Sequence, residues 1–211
     1  SMGTVFGRLY IVPLLGEFLR RFPAINPDWH FDNRQVDLIG QGFDAAIGGG
    51  FELPQGVVAR KLTPAHRVLV ASAEYLARNP AVLEPDDLKQ HDGILIRSPQ
   101  TGRVRSWQLT SRDQQHSPLS LRVRMTMSDS EAACATAAQG LGIALVSMPF
   151  ALGYLQAGTL QRVLADWYVD DGNISIYYAE HKLLPGKTRA FVDFVIEQFT
   201  EQGLARRFSA V

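Results

Sequence analysis

Few residues in this chain are spaced for covalent chemistry. The five histidines, His30, His66, His91, His116 and His181, are scattered without a short pair, so no single helix or turn brings two imidazoles onto one zinc ion. No Gly-x-Ser-x-Gly elbow occurs, which leaves a serine nucleophile without its strand-to-helix turn. Cys134, the only cysteine, lies in Ala132-Ala-Cys-Ala-Thr-Ala-Ala138, where a thiol packs as a small apolar group rather than attacking. Gly40-Gln-Gly42-Phe-Asp-Ala45 matches the dinucleotide fingerprint on paper. Its glycines precede a strand, whereas the phosphate-binding turn must follow one and open a helix. Asp86-Asp87 and Asp170-Asp171 are adjacent pairs at a helix start or in a loop, with no second carboxylate placed opposite. These residues give no argument for a catalytic group, a metal or a cofactor.

Binding chemistry is better represented. Ser128 followed by Glu131 has capping-box spacing, so hydroxyl and carboxylate each reach a free backbone N–H where a helix begins at Asp129. That helix is built of alanines and Cys134, residues that let a sheet approach closely. Gly140 supplies its left-handed stop. Gly142-Ile-Ala-Leu-Val146 then reads as a strand buried on both faces, as a parallel sheet requires. The helix start falls at a strand's carboxyl end, where open α/β sheets place their ligands.

The remaining elements must carry this stretch. Arg8 to Phe22 reads as a helix with Leu14, Leu15, Phe18, Leu19 and Phe22 on one face, bent or started by Pro13 and ended by Pro23. Strands are expected at Asp28–Asp32, Phe43–Ile47, Val57–Leu62, Arg67–Ala71, Gly93–Ile96, Ser106–Leu109, Leu119–Met127, Leu160–Leu164 and Ile174–Ala179. Helices are expected at about Gln35–Gln41, Glu74–Arg78, Pro85–Gln90, Pro149–Gln156 and Thr188–Gln202, with Arg112–Pro118 a polar loop. This alternation favours an α/β fold. Ser1-Met2 reads as a remnant outside the fold.

Composition narrows the function further. Twenty-one basic residues balance twenty-one acidic ones over 211 positions, leaving no excess charge to hold a nucleic acid backbone. The basic pairs Arg20-Arg21, Arg103/Arg105, Arg122/Arg124 and Arg206-Arg207 read as solvated faces. A single cysteine permits no intrachain disulfide, and no apolar run reaches the roughly 18 residues of a membrane span. A reducing cytoplasm is the default.

Taken in order, Phe6-Gly-Arg8, Leu14-Leu15 with Phe18 and Phe22-Pro23, Val36-Asp-Leu38 with Gly42-Phe-Asp44 and Ala46-Ile47, Ala71-Ser72 with Tyr75-Leu76, Asp87-Leu88 with His91, Trp107, Ser128-Asp-Ser-Glu-Ala132, Gly140-Leu-Gly-Ile-Ala144 and Phe191-Val-Asp-Phe194 resemble the effector-binding domain of LysR-type transcriptional regulators. The resemblance covers nearly the whole chain. It implies two Rossmann-like lobes joined by two crossover strands, similar to type 2 periplasmic binding proteins, with a small polar or anionic effector in the cleft. Lobe I would be residues 3–69 plus 180–211, and lobe II residues 70–179. Position by position, the resemblance places Thr4, Phe6, Asn33 and Gly48 on the lobe I side of that cleft. Arg97, Ser98, Ser128, Asp129, Ser147 and Met148 take the lobe II side. Ser128 caps the helix, binds effector, or does both; Arg97 neutralises an anionic effector or faces solvent. The resemblance also implies a cytoplasmic homodimer or homotetramer with no catalysis and no membrane contact. DNA would be bound only through an N-terminal winged helix-turn-helix domain, which this chain lacks.

Three departures stand out. The family carries a strand ahead of Phe6-Gly-Arg8, and here almost nothing precedes it, so lobe I either lacks a central strand or fills its place from elsewhere. Gly48 replaces an arginine and Ala73 a proline. Two other classes share the fold: a solute-binding protein of a transport system, and an enzyme similar to porphobilinogen deaminase, which would need a loop cysteine where this chain has only Cys134.

Overall fold

The computed structural model describes residues 1–50, 55–180 and 184–211, so His181 lies outside the described residues. The chain divides into two compact units, Ser1–Pro64 with Gly172–Arg207, and Ala65–Asp171 with Phe208–Val211. Two long strands, β2 (Val57–Ala71) and β9 (Trp167–Ala179), run through the division. The expected break between Val57–Leu62 and Arg67–Ala71 does not occur. Extended backbone accommodates the fixed φ of Pro64, whose ring removes only one donor from the strand.

In the first unit the N-terminal helix is not uniform. Thr4–Phe6 (α1) leads into a π turn over Gly7–Ile11, a 3-10 turn over Val12–Leu14 and then α2 (Leu15–Arg21). Pro13 has no N–H and its ring crowds the carbonyl one turn back, so the ladder widens before it and tightens around it. Phe18 anchors the core, its ring centroid 5.3 Å from Phe194 and 5.6 Å from Phe191 of α6 (Gly186–Glu201). The short α7 (Leu204–Arg207) follows. The helix expected at Gln35–Gln41 is only turns, because the Asp37 carboxylate takes the Gly40 N–H at 2.9 Å and competes with helix bonding. The strand expected at Asp28–Asp32 is reduced to a single bridge at Phe31.

Ser1 and Met2 belong to the fold, contrary to the expectation. Met2 bridges in parallel to both Phe31 and Ile47, accepts the Asp32 N–H at 2.9 Å and donates to the His30 carbonyl at 3.0 Å. These two residues thus fill the central-strand position. The Ser1 ammonium donates to the Ala45 carbonyl at 2.9 Å, and its burial lowers its pKa to about 6. β1 (Ala46–Gly49) pairs antiparallel with β9 from Ala46↔Tyr177 to Gly49↔Ile174. A Cβ on Gly49 would lie 2.1 Å from the Asn173 carbonyl oxygen, so only glycine allows that approach.

The second unit is built on a sheet in the order β5-β4-β9-β2-β7-β3-β6, with β8 (Gln161–Val163) also paired to β2. The other strands are β3 (Asp92–Ile96), β4 (Gln108–Ser111), β5 (His116–Pro118), β6 (Arg122–Met127) and β7 (Ile143–Ser147). β5 lies where a polar loop was expected. β3 is parallel to both β6 and β7. Side chains alternate across β7: Ala144 and Val146 pack with Ala133, Cys134 and Ala137 of α4 (Ser130–Ala138), while Ile143 and Leu145 pack with Leu88 and Leu109 on the other face. The small side chains of α4 allow it to lie close over the sheet. Gly140, at φ +74°, stops the chain after α4. α3 (Ala73–Arg78), a 3-10 turn over Pro85–Gln90 and α5 (Met148–Gln156) complete the unit.

Candidate functional site

Parallel pairing decides where the candidate residues of the second unit gather. Ile96 of β3 is opposite Met127 of β6, and the Arg97 N–H donates to the Met127 carbonyl at 2.8 Å. Ile94 of β3 is opposite Ala144 of β7. Counting on in register, Arg97, Ser128 and Ser147 all leave the sheet at the carboxyl ends of adjacent strands.

The helix cap is not the expected one. Asp129 is the N-cap: its backbone is extended at φ −133° and ψ 133°, and its carboxylate accepts the Ala132 N–H at 2.8 Å. Helix α4 therefore starts at Ser130, one residue later than expected. Ser128 is exposed and makes no capping bond to α4. Ser128, Asp129 and Ser130 are all competent caps, and the charged acceptor at the middle position prevails.

The other positions differ in what they offer. Arg97 is exposed and bridges antiparallel to Val104. The Ser98 hydroxyl is engaged by its own turn, accepting the Gln100 and Thr101 N–H groups at 3.3 Å and donating to Gln100 Oε1 at 3.0 Å. Ser147 precedes α5 without capping it, while Met148 is buried against the α4 cluster.

In the first unit the bridges of Met2 to Phe31 and Ile47 put Thr4, Asn33 and Gly48 at one end of three parallel segments. The Asn33 carboxamide oxygen accepts the Thr4 N–H at 3.0 Å. Gly48 is opposite Ser175. Phe6 is packed inside the unit against Tyr10 and Phe199, at 5.2 and 6.2 Å between centroids. The structure thus gathers Thr4, Asn33 and Gly48 in one unit and Arg97, Ser128, Asp129 and Ser147 in the other. Phe6 and Met148 are packing beneath those sets.

Buried polar groups elsewhere serve the fold. The Cys134 thiol is fully buried, and desolvation followed by the charges of Glu131 and Asp129 pushes it up to about 12, which keeps it protonated. Tyr75 Oη accepts the Asp92 N–H at 3.0 Å and lies 3.2 Å from His91 Nδ1, so its own proton is directed to the imidazole. Burial lowers the His91 pKa and keeps that ring neutral. Among the described residues no three His, Cys, Asp or Glu side chains come together as a metal site. No helix among them is long and apolar enough to cross a membrane.

One polar cluster escaped the sequence reading. Arg105 and Asp171, assigned there to a solvated face and a loop, meet Arg67 around Trp107 in the second unit. Arg67 is opposite Ser147 in the β2–β7 ladder. With Arg67 and Asp171 separated by 104 positions in sequence, no local pattern marks the pair.

The family of the LysR substrate binding domain matches residues 1–200. An HTH-type transcriptional regulator of Xanthomonas campestris is 32% identical over 196 residues, covering 90% of this chain and 56% of that protein. The HTH-type transcriptional activator TtdR of Escherichia coli K12 is 29% identical over 190 residues, covering 90% of this chain and 60% of that protein. The regulatory domain of AphB from Vibrio vulnificus superposes with a TM-score of 0.76 at 25% identity, covering 93% of this chain and 96% of that one. Full-length AphB of Vibrio cholerae, a virulence activator, gives a TM-score of 0.77 at 27% identity, covering 93% of this chain and 66% of that one. The fold is accordingly the mixed α/β, type 2 periplasmic-binding-protein-like fold of these regulatory domains, and the chain spans less than two thirds of the length of the curated relatives named here. The chain belongs to the LysR substrate-binding domain family.

Proposed function

We propose that this chain is the sensing domain of a LysR-type transcriptional regulator and that it binds a small polar or anionic effector between its two units. The observation that carries the reading is the gathering of polar groups at the carboxyl ends of β3, β6 and β7, where the exposed Arg97 and Ser128 and the half-buried Ser147 emerge together. The start of α4 lies there too, with the Asp129 carboxylate on the Ala132 N–H and its carbonyl on the Ala133 N–H. Thr4, Asn33 and Gly48 would supply the facing wall, with Asp129 and Ser98 at the margin and Phe6 and Met148 supporting it. Effector binding would favour one arrangement of the units and alter DNA affinity no further than its differential affinity for the two arrangements permits. DNA would be held by a helix-turn-helix segment beyond this chain, in a cytoplasmic homodimer or homotetramer. Catalysis has no part in the reading. The alternative, a periplasmic solute-binding protein of a transport system, is not favoured, because the relatives are named as transcriptional regulators.

A calorimetric and thermal-shift screen with aromatic acids, amino acids and sugar acids tests this reading. One compound should bind one-to-one and remain chemically unchanged. Steady consumption of the bound compound, or failure of all of them to bind, would overturn the proposal.

A further inference from the structure

We infer that His66 makes the seating of the chain's last residues proton-dependent: Ala210 is held in the second unit while the imidazole is neutral, and proton uptake releases it. The inference concerns the tail alone and stands or falls separately from the sensing role.

The chain passes from the first unit to the second at Arg207–Phe208 as well as along β2 and β9. The strands are held by their ladders, whereas beyond the buried Phe208 this passage is held by side chains. A backbone N–H can only donate, so the Ala210 N–H, 2.9 Å from His66 Nδ1, requires a lone pair on that nitrogen. The proton of the neutral ring is therefore on Nε2. The Ala210 carbonyl accepts from Arg162 Nη1 at 2.9 Å, and Arg162 Nη2 lies 3.4 Å from the Trp167 carbonyl. Both polar groups of one peptide residue thus depend on two side chains. Ala210 is 2% exposed and packs with the cluster of α4 and α5, so water does not stand in for either bond while it is seated.

Protonation at Nδ1 reverses the arrangement. It sets a second donor against the Ala210 N–H and creates a cation within one peptide residue of the Arg162 guanidinium. The titratable and charged groups on the elements around the ring are Tyr168 of β9, at 4.8 Å between centroids, Arg162 of β8, Tyr154 of α5 and Cys134 of α4. Arg67, next on β2, points to the other face and pairs with Asp171. On the tail itself Val211 is exposed, and its oxygen accepts from the Ser209 hydroxyl at 3.2 Å. The seated state binds one proton fewer than the released state. Seating is therefore complete at high pH and weakens as pH falls, by at most about tenfold per pH unit.

The test follows the Ala210 amide and the His66 ring nitrogens together by NMR of the whole chain from about pH 8 to about pH 5, the span in which histidine ordinarily changes charge. The expected result is a single event: Nδ1 takes up a proton and the Ala210 amide moves to an unstructured position over the same pH range, while the α4 amides stay in place. His66→Asn puts an acceptor that does not titrate near the Nδ1 position, and its Ala210 amide should remain seated throughout. An Ala210 amide still seated at the acid end in wild type, with the ring protonated or not, would overturn the inference. So would release of the tail in His66→Asn over the same range, or loss of all amides together, since the tail would then have no transition of its own. If circular dichroism shows His66→Asn to be unfolded, the two wild-type midpoints carry the test, and a separation of more than about one pH unit, a tenfold mismatch in proton affinity, counts against it.

Discussion

Replacing Ser128 and Asp129 one at a time separates helix capping from ligand contact, two roles that the sequence leaves merged. Asp129 accepts the Ala132 N–H at 2.8 Å and places its charge at the positive end of a nine-residue helix. Loss of such a cap costs about 1 kcal/mol, and loss of the charge at the helix start about 0.5 kcal/mol more. Asp129→Ala should therefore destabilise by about 1.5 kcal/mol, which for a chain of 211 residues lowers Tm by about 4 °C. Asp129→Asn retains the acceptor and should lose only the charge contribution, roughly 1 °C. Ser128 is exposed and bonds to no helix N–H, so Ser128→Ala should stay within about 0.5 kcal/mol of wild type. Thermal unfolding by circular dichroism gives the stabilities, and calorimetry with a compound from the screen gives the affinities. Ser128→Ala should lose affinity at unchanged Tm. A fall in Tm for Ser128→Ala as large as for Asp129→Ala would refute the cap assignment. Unchanged affinity in Ser128→Ala would remove Ser128 from the site.

Other consequences can be measured on the same protein. Tyr75→Phe strips the Asp92 N–H and His91 Nδ1 of their shared partner, and should cost about 1–3 kcal/mol in urea unfolding; no change would mean that water replaces the hydroxyl. Phe208 is fully buried and the following Ala210 is pinned by His66 Nδ1 and Arg162 Nη1 at 2.9 Å each. Phe208→Ala should cost about 3–5 kcal/mol, whereas removing the exposed Val211 should cost almost nothing, and equal effects would contradict the packing. Cys134 should resist iodoacetamide at pH 8 until the chain unfolds, because the thiol is buried and its pKa is pushed up to about 12; rapid labelling of native protein would show an open α4.

The sequence announced some elements more clearly than others, for physical reasons. α4 and β7 were legible because an alanine run, a left-handed glycine and an apolar strand each carry a strong local preference, and these preferences agree. The cap register was not, since three consecutive residues compete for one role and the choice depends on a single extended φ/ψ. Val57–Leu62 and Arg67–Ala71 read as separate strands where β2 runs on through Pro64, because the penalty for a missing strand donor depends on the partner strand, which sequence does not show. Ser1 and Met2 are too few to display any periodicity, yet pairing on both sides makes Met2 a strand centre. Leu119–Met127 alternates in sequence, but β6 lies at the sheet edge and Val123 stays 61% exposed. Ten candidate positions came from family resemblance, and the parallel bridges explain why separated segments deliver most of them to two shared strand ends. The Arg67–Trp107–Asp171 cluster had no such marker: its members come from three separate stretches of chain and meet only through the sheet.

Hydrogen exchange with and without a bound effector tests the central claim most directly. If one small molecule is held by both units, slowed exchange should appear together at residues 3–6 and 33–34 of the first unit and at residues 97–98, 128–132 and 147–148 of the second. Protection confined to one unit, or lying away from these strand ends in both, would contradict it.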